Sequence, residues 1–276
     1  MFKPSYFNFI SYYGGKYFQL EETLQYIEDV ADHNNADTYI ELFGGGGKCI
    51  LNLESIDHNF ETKIYNEFDP SLCNLFTVAA DYEKNEELYG LINSLDCSKE
   101  LFNFCKKNKA DTQFSDVERA AMMYVLIKNS YSSNMKGYNP CKDDYVYSSS
   151  RSILDAKEYL EGVSIVNGDY ISLMKKYGGN ANAVKYLDPP YHPACRNQNS
   201  LKVYPNELTA EQHRELVGIL CDSTSWVLSG YDPAQYGCSD YEPLVQSGAT
   251  KVSIGEFRLG CSQNENYKEE FIWYKF

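Results

Sequence analysis

The chain has 276 residues, an apolar share of 43% and a formal net charge of −14, a size that suits one large α/β domain carrying an insertion, or two small domains. No stretch approaches the roughly 18 uninterrupted apolar residues of a membrane helix, and residues 1–9 hold neither a basic cluster nor an apolar signal core, so a cytoplasmic protein without a membrane partner is expected. The acidity argues against a protein that holds nucleic acid by bulk attraction, because neutralising phosphates calls for a basic face.

Charge is nevertheless unevenly spread. Acid concentrates in 21–32, 54–69 and 81–87, whereas 99–157 holds Lys99, Lys106, Lys107, Lys109, Arg119, Lys128, Lys136, Lys142, Arg151 and Lys157, which leaves room for a local basic surface. The nine cysteines form no C-x-x-C pair and the four histidines show no ligand spacing; reduced thiols and no metal are the expectation.

In chain order, helical periodicity covers 18–30, with Leu20, Leu24 and Ile27 on one stripe, and a β-type run at 38–42 leads into the glycine cluster 44–47 and a helix start. A second strand is predicted at 63–65, followed by a helix in which Ser71 serves as N-cap and Leu72, Leu75, Phe76 and Ala79 form the apolar face. Residues 86–128 read as consecutive helices, and 129–150 as a polar loop rich in tyrosine and serine, without a clear period. Then come strand 163–166, helix 170–177, strand 183–187, helix 209–220 and strand 225–229. Two β-rich runs, 249–257 and 269–275, flank a polar loop with Gly260 and Asn264 and predict a closing antiparallel hairpin. Alternating strands and helices of this length point to a mostly parallel sheet covered on both faces, interrupted by an inserted module. The division expected is 1–85, 86–150 and 151–276.

Chemistry concentrates in three segments. Asp188-Pro189-Pro190-Tyr191 follows the apolar run ending at Leu187, at a strand tip, where open α/β sheets bind ligands. Two prolines remove two backbone donors and stiffen the chain, so neighbouring carbonyls are left to accept hydrogen bonds from an amine. A nucleobase amine is a poor nucleophile, its lone pair being delocalised. If the Asp188 carboxylate and the Pro189 carbonyl each take one amine hydrogen, the lone pair can turn toward a methyl donor, with Tyr191 as a stacking surface. The plain alternative is a D-P-P turn that caps a strand. Glu41-Leu42-Phe43 and Gly44 through Gly47 form the second segment. Its glycines admit a ligand to the backbone, but Leu42 and Cys49 break the P-loop spacing and Cys49 breaks the dinucleotide one; a flexible turn is the alternative. Glu67 and Asp69, past the second strand, offer acids to ribose hydroxyls. Third, Tyr12-Tyr13-Gly14-Gly15-Lys16 pairs aromatics and a lysine with glycines, suited to covering a sulfonium or reaching a carboxylate, or to a surface turn.

In this order the three segments resemble the Dam-like family of N6-adenine-specific DNA methyltransferases, over nearly the whole chain. The resemblance implies a Rossmann-like α/β domain that binds S-adenosyl-L-methionine, its mixed sheet closed by an antiparallel hairpin, with an inserted, mainly helical target-recognition domain at 86–150. It implies methyl transfer to the N6 amine of adenine in double-stranded DNA after the base is flipped out. Asp188, Pro189, Pro190 and Tyr191 are then the catalytic motif. Tyr12, Lys16, Phe43, Gly44, Gly46, Glu67, Asp69, Asp169, Tyr170 and Asp188 become cofactor-binding residues, Glu67 holding the ribose. Leu208 to Leu220, the segment from Leu228 to Asp232, and the closing Glu270 to Tyr274 are similar to the later motifs. The stretch 126–150 only loosely matches the family's recognition loop; within it Lys128, Asn129, Ser133, Asn134, Lys136 and Tyr138 are the types that read base edges or clamp phosphates. A monomer is expected, with a restriction endonuclease as a conceivable partner. Methylation of an RNA base and a non-catalytic DNA-binding relative are the alternative functions.

Overall fold

A computed structural model describes residues 6–12, 14–140, 143–196, 207–258 and 267–276, with the backbone course alone for 143–149 and 258. Five strands run parallel: β1 (Thr38–Glu41), β2 (Thr62–Glu67), β3 (Val163–Asn167), β4 (Ala183–Leu187) and β5 (Trp226–Gly230). The antiparallel pair β6 (Thr250–Arg258) and β7 (Tyr267–Lys275) completes one sheet in the order β3-β2-β1-β4-β5-β7-β6. The mixed α/β fold with a closing hairpin is the one the sequence predicts. Chain progression runs outward from β1 through β2 to β3, then resumes at β4 on the other side of β1. The crevice beyond the carboxyl ends of β1 and β4 is therefore the topological switch point, where such sheets take ligands.

Alternation along the strands builds two cores. Tyr39, Tyr65, Val184, Tyr186 and Val227 point into one apolar cluster, shared with α1 (Leu20–Asn34), α2 (Pro70–Ala80), α3 (Tyr82–Ser94), α4 (Lys99–Asn108), α5 (Asp116–Lys128) and α6 (Asp143–Tyr159). Ile40, Leu42, Ile64, Leu187 and Leu228 point into the other, covered by α7 (Tyr170–Tyr177), α8 (Ala210–Cys221) and α9 (Glu242–Gln246). This is the period of two that puts successive side chains on opposite faces. Helix α5 is buried along its whole run from 120 to 127, which is why its sequence has no polar stripe.

Three local expectations are corrected. The glycine turn leads into a 3-10 segment, Ile50–Ser55, and not an α-helix start. Asn52 sits there at φ −127° with its side chain bonded to Phe7 and Lys48, so the local backbone cannot wind into regular α turns. The N-cap of α2 is Asp69, whose Oδ1 accepts from the Ser71 amide at 2.9 Å, with Pro70 at the first helical position; proline's fixed φ and missing N–H suit that position. The predicted loop 129–150 ends early, because α6 begins at Asp143 and runs through position 150. Its apolar stripe, Ile153 and Ala156, packs beside α3 and carries the helix back into a tyrosine and serine run with no period of its own. Gly260 and Asn264 lie outside the described residues. Among the described residues the cysteines are free thiols, and no helix is long and apolar enough to cross a membrane.

Candidate active site

The glycine turn is shaped by what lies behind it. A Cβ at Gly44 would fall 2.2 Å from the Tyr65 ring, and Gly45 and Gly47 adopt φ of +49° and +64°, conformations that L side chains rarely take. The Gly44 amide donates to the Asn66 carbonyl at 2.8 Å, which locks the turn to β2. Glu67, at the end of β2, accepts from the amides of Gly45 and Asp69, both at 2.8 Å. Burial raises its carboxyl above the ordinary range and these two amides pull it back. Each oxygen of a carboxylate has a second lone pair, so Glu67 keeps acceptor capacity for a ligand.

Across the crevice, β4 delivers Asp188 beside a buried lysine. Lys16, 3% exposed, sets its ammonium 3.2 Å from Asp188 Oδ1 and also contacts the Glu270 carboxylate and the Tyr191 hydroxyl. Burial alone would lower its pKa, but Asp188 and Glu270 outweigh burial and hold it above the usual lysine range; the ammonium stays charged. Asp188 is 21% exposed, and burial pushes it up to about 6 while Lys16 pulls it down and Glu270 adds to the rise. Ser229 of β5 donates to Asp188 Oδ1 at 3.3 Å. Tyr191 gives its hydroxyl to Glu270, at 3.0 Å from Oε1, and its ring packs 4.1 Å from the Tyr231 ring.

Between these walls lies a cleft of about 440 Å³, within the usual range for small-molecule sites. Of the residues expected to hold a cofactor, Tyr12, Lys16, Phe43, Gly44, Gly46, Glu67, Asp169, Tyr170 and Asp188 line it. Asp69 does not: its carboxylate is spent on the α2 cap and on Lys109, 3.3 Å away. Of the proline corner, Pro190 lines the cleft, Pro189 between it and Asp188 is buried, and the Tyr191 hydroxyl meets Lys16 and Glu270. Phe43 lies 4.9 Å from the Tyr170 ring, a flat apolar wall beside Asp169, which caps α7 through the Ile171 amide. Asn66 lines the cleft as well, and its Oδ1 is buried with no hydrogen-bond partner; an orphaned acceptor of this kind is costly unless a ligand donates to it. Acids near one end, an apolar wall, a glycine turn with no room for side chains and an unpaired acceptor together fit a nucleoside carrying a charged tail.

The residues expected to touch DNA lie on a separate element. The segment after α5 is closed at its base by a bridge between Ser130 and Tyr138 and by the Asn139 amide donating to the Asn129 carbonyl at 2.8 Å. Ser132, Ser133 and Met135 all have φ between 49° and 57°, strain of roughly 1–3 kcal/mol each, of the kind that clusters at functional loops. Asn129 is 2% exposed and meets the Cys97 thiol, while the Tyr138 hydroxyl donates to the Cys97 carbonyl at 2.9 Å; both brace the loop against the α3–α4 connection. Asn134 Oδ1 accepts from the Lys136 amide at 2.9 Å, Ser133 is half-buried and Lys136 is exposed. Burial, and after it the charge of Lys128, which lies over the Tyr124 ring, lower the Lys48 ammonium to about 8.

Four residues of the site were given no role of their own by sequence reasoning, although Glu41, Ser229 and Glu270 stand inside segments it named. Glu270 is 1% exposed; the one signal for it is an acid that stands directly before the apolar Phe271-Ile272-Trp273. Ser229 is ordinary in sequence. Lys48 bonds the Ile10 carbonyl at 2.8 Å and the Asn8 side chain, contacts set by chain entry far away. Glu41, wholly buried, is raised to about 8 by burial and holds the Ile50 amide at 2.7 Å. Near the corner, His192, Cys238 and Asp240 bring their side-chain donor atoms within 4.8 Å of one another. His192 Nδ1 accepts from the Ala194 amide, so its proton sits on Nε2 and is donated to Asp240 at 3.1 Å; the imidazole already has its partners.

A family model for the D12 class N6 adenine-specific DNA methyltransferases matches residues 12–231. That span takes in Lys16, the glycine turn, the proline corner and β5, and ends before β6 and β7. Among curated proteins nothing matches the chain.

Proposed function

Since the chain belongs to the D12 class N6 adenine-specific DNA methyltransferases, we propose that the switch-point cleft holds S-adenosyl-L-methionine and that an adenine, rotated out of duplex DNA, meets it at Asp188. The observation that carries this reading is the facing of the glycine turn and the proline corner across one cleft. When bound, the cofactor would supply an electrophilic methyl group, the new N6–C bond replacing its S–C bond and leaving a neutral thioether, while the proton released by N6 would pass to the Asp188 carboxylate or to water.

The protein's share is binding and orientation. Glu67 accepts from the ribose hydroxyls, Phe43 and Tyr170 cover the adenine ring, Asp169 and Asn66 take its polar edge or the hydroxyls, and Tyr12 closes the turn. Asp188 and the Pro189 carbonyl accept the two hydrogens of the target amine, which turns its lone pair toward the methyl group, and Pro190 keeps the corner rigid. Accepting a hydrogen requires Asp188 ionised, and with its pKa raised to about 6 it is ionised at neutral pH and protonated below. The insertion α3 to α5 and the loop 129–140 serve as the DNA-engaging module of residues 86–150, with Lys128, Ser133, Asn134 and Lys136 nearest the duplex and Asn129 and Tyr138 bracing them. A flipped base is the geometry such a pocket demands, because N6 of a stacked, paired adenine lies out of reach of a cleft.

Transfer of a tritiated methyl group to unmethylated duplex DNA tests the reading, with structured RNA as the comparison substrate. Asp188→Ala is expected to bind cofactor within a few-fold of wild type and to lose transfer by roughly 10²–10³-fold or more. Undiminished turnover in that variant, or preferential labelling of RNA, refutes it.

A further inference from the structure

Glu270 lies on β7, beyond the span that the family model matches, yet its carboxylate is 1% exposed, meets Lys16, and accepts from the Tyr191 hydroxyl at 3.0 and 3.3 Å from its two oxygens. Its placement is built into the sheet. In the register of β6 on β7, Phe271 pairs with Ser253 but Glu270 pairs with Gly255, so Ile254 is an extra residue in a β-bulge directly opposite Glu270. Gly255 takes φ +115° there, a value that favours glycine. Bulges re-aim a neighbouring side chain and are found beside active sites. On β5, Gly230 pairs with Phe271 and leaves space against which the Tyr191 ring rests.

The outcome is one buried ammonium shared between two carboxylates. Lys16 touches Asp188 and Glu270 at once, so any change at Glu270 alters how fully the cation belongs to Asp188. Burying a second carboxylate against a single ammonium costs stability, and Glu270 is not among the residues that line the cleft. We propose that Glu270 is a positioning residue for methyl transfer: it fixes Lys16 and the Tyr191 hydroxyl, and through their shared ammonium it sets the charge state of Asp188. This rests on Asp188 being the acceptor of the target amine, as proposed above.

The electrostatic surroundings give the sign. Facing Asp188 are Lys16 ahead of α1, Glu41 of β1, Cys49 past the glycine turn, Tyr186 of β4, Tyr191 at the corner, Tyr231 beyond β5 and Glu270 of β7. Lys16 is the cation among them that lowers Asp188, and Glu270 is an acid that raises it. Glu270→Gln removes the like charge and releases Lys16 wholly to Asp188, and both effects make Asp188 easier to ionise.

The test is the single-turnover methylation rate of the full chain against pH, so that product release does not mask the chemical step. Wild type should lose activity as pH falls through about 6. Glu270→Gln should shift that acid limb downward by about one pH unit, with cofactor and DNA affinities within a few-fold, and Glu270→Asp should fall between. A limb that stays at the wild-type midpoint in Glu270→Gln overturns the proposal, whatever happens to the rate, as does a wild type with no acid limb. If Glu270→Gln does not yield folded protein, the same decision rests on Glu270→Asp, whose carboxylate is withdrawn by one methylene: an unmoved limb there overturns it equally. Asp188→Ala run alongside separates the two readings. Turnover in Asp188→Ala removes the amine-acceptor role itself, whereas an inactive Asp188→Ala with an unmoved Glu270→Gln limb removes only the role of Glu270.

Discussion

Lys16 and Gly44 show how differently two residues of one cleft are constrained. Lys16 is held by charge: its sequence position beside two glycines suggested a reach toward a ligand's carboxylate, and in the fold that carboxylate belongs to Asp188 and Glu270. Neutral Lys16 would leave two buried acids sharing a site without a cation, so its ammonium makes Asp188 tolerable as an anion. Gly44 is held by space. An added methyl group would meet Tyr65 ring atoms at 2.2, 2.5 and 2.8 Å, and the ring cannot yield freely because it stacks on Phe76 with centroids 4.3 Å apart and its hydroxyl bonds the Gly45 carbonyl at 2.8 Å. Gly44→Ala is therefore expected to lower stability by about 1–3 kcal/mol and to weaken cofactor binding about tenfold or more; urea unfolding and calorimetric titration check the two effects. Normal affinity and stability in this variant would show that the turn yields more easily than its packing implies.

At the scale of elements, the segment that continues each strand decides how the strand's end is used. Asp69 illustrates this: read along the chain it is a second acid for the ribose, but α2 starts at Pro70 and claims the carboxylate as its cap, and Lys109 of the α4 end claims the other oxygen. Asp69→Ala should cost roughly 1–2 kcal/mol, mostly the lost cap with a smaller share from the partly buried ion pair, and should leave cofactor affinity within a few-fold. Asp69→Asn should recover most of the stability, since asparagine caps nearly as well. Thermal unfolding with cofactor titration distinguishes this from a direct ligand role, in which both variants would lose affinity and stability would hardly move. Helix α6 behaves in a related way: a periodless serine and tyrosine run becomes helical because the residues after it have a partner in α3.

Over the whole molecule the open question is how a chain of net charge −14 engages a polyanion. Part of the basic complement of the 99–157 stretch is already neutralised, Lys109 by Asp69, Arg119 by Asp116 and Lys157 by Glu86. Lys106 is turned to the Lys136 carbonyl at 2.7 Å, which ties α4 to the strained loop. On a chain this acidic the phosphate contacts have to be local, and the exposed Lys136 on the strained loop is a cation placed to make one. The logarithm of DNA affinity against the logarithm of salt concentration should thus have a shallow slope, about −4 or less in magnitude, at roughly −0.9 per phosphate contacted. A slope near −8 would mean that a much larger basic face exists, and a flat one that phosphates are not engaged.

Local chemistry made much of this protein readable from its sequence. The alternation of strands and helices, the glycine turn, the acid past β2 and the proline corner are each decided by nearest neighbours: a period of two or 3.6, a proline that has no N–H, a glycine that tolerates positive φ. What the tertiary structure alone decided is partnership across distance. That Lys16 would meet Asp188, that Glu270 of β7 would meet the same ammonium, and that Asp69 would be taken by a helix and a lysine depend on which strands lie side by side and how deeply each charge is buried. Pairing of that kind is settled by burial and register between segments as far apart as residues 16 and 270, and no local pattern encodes it.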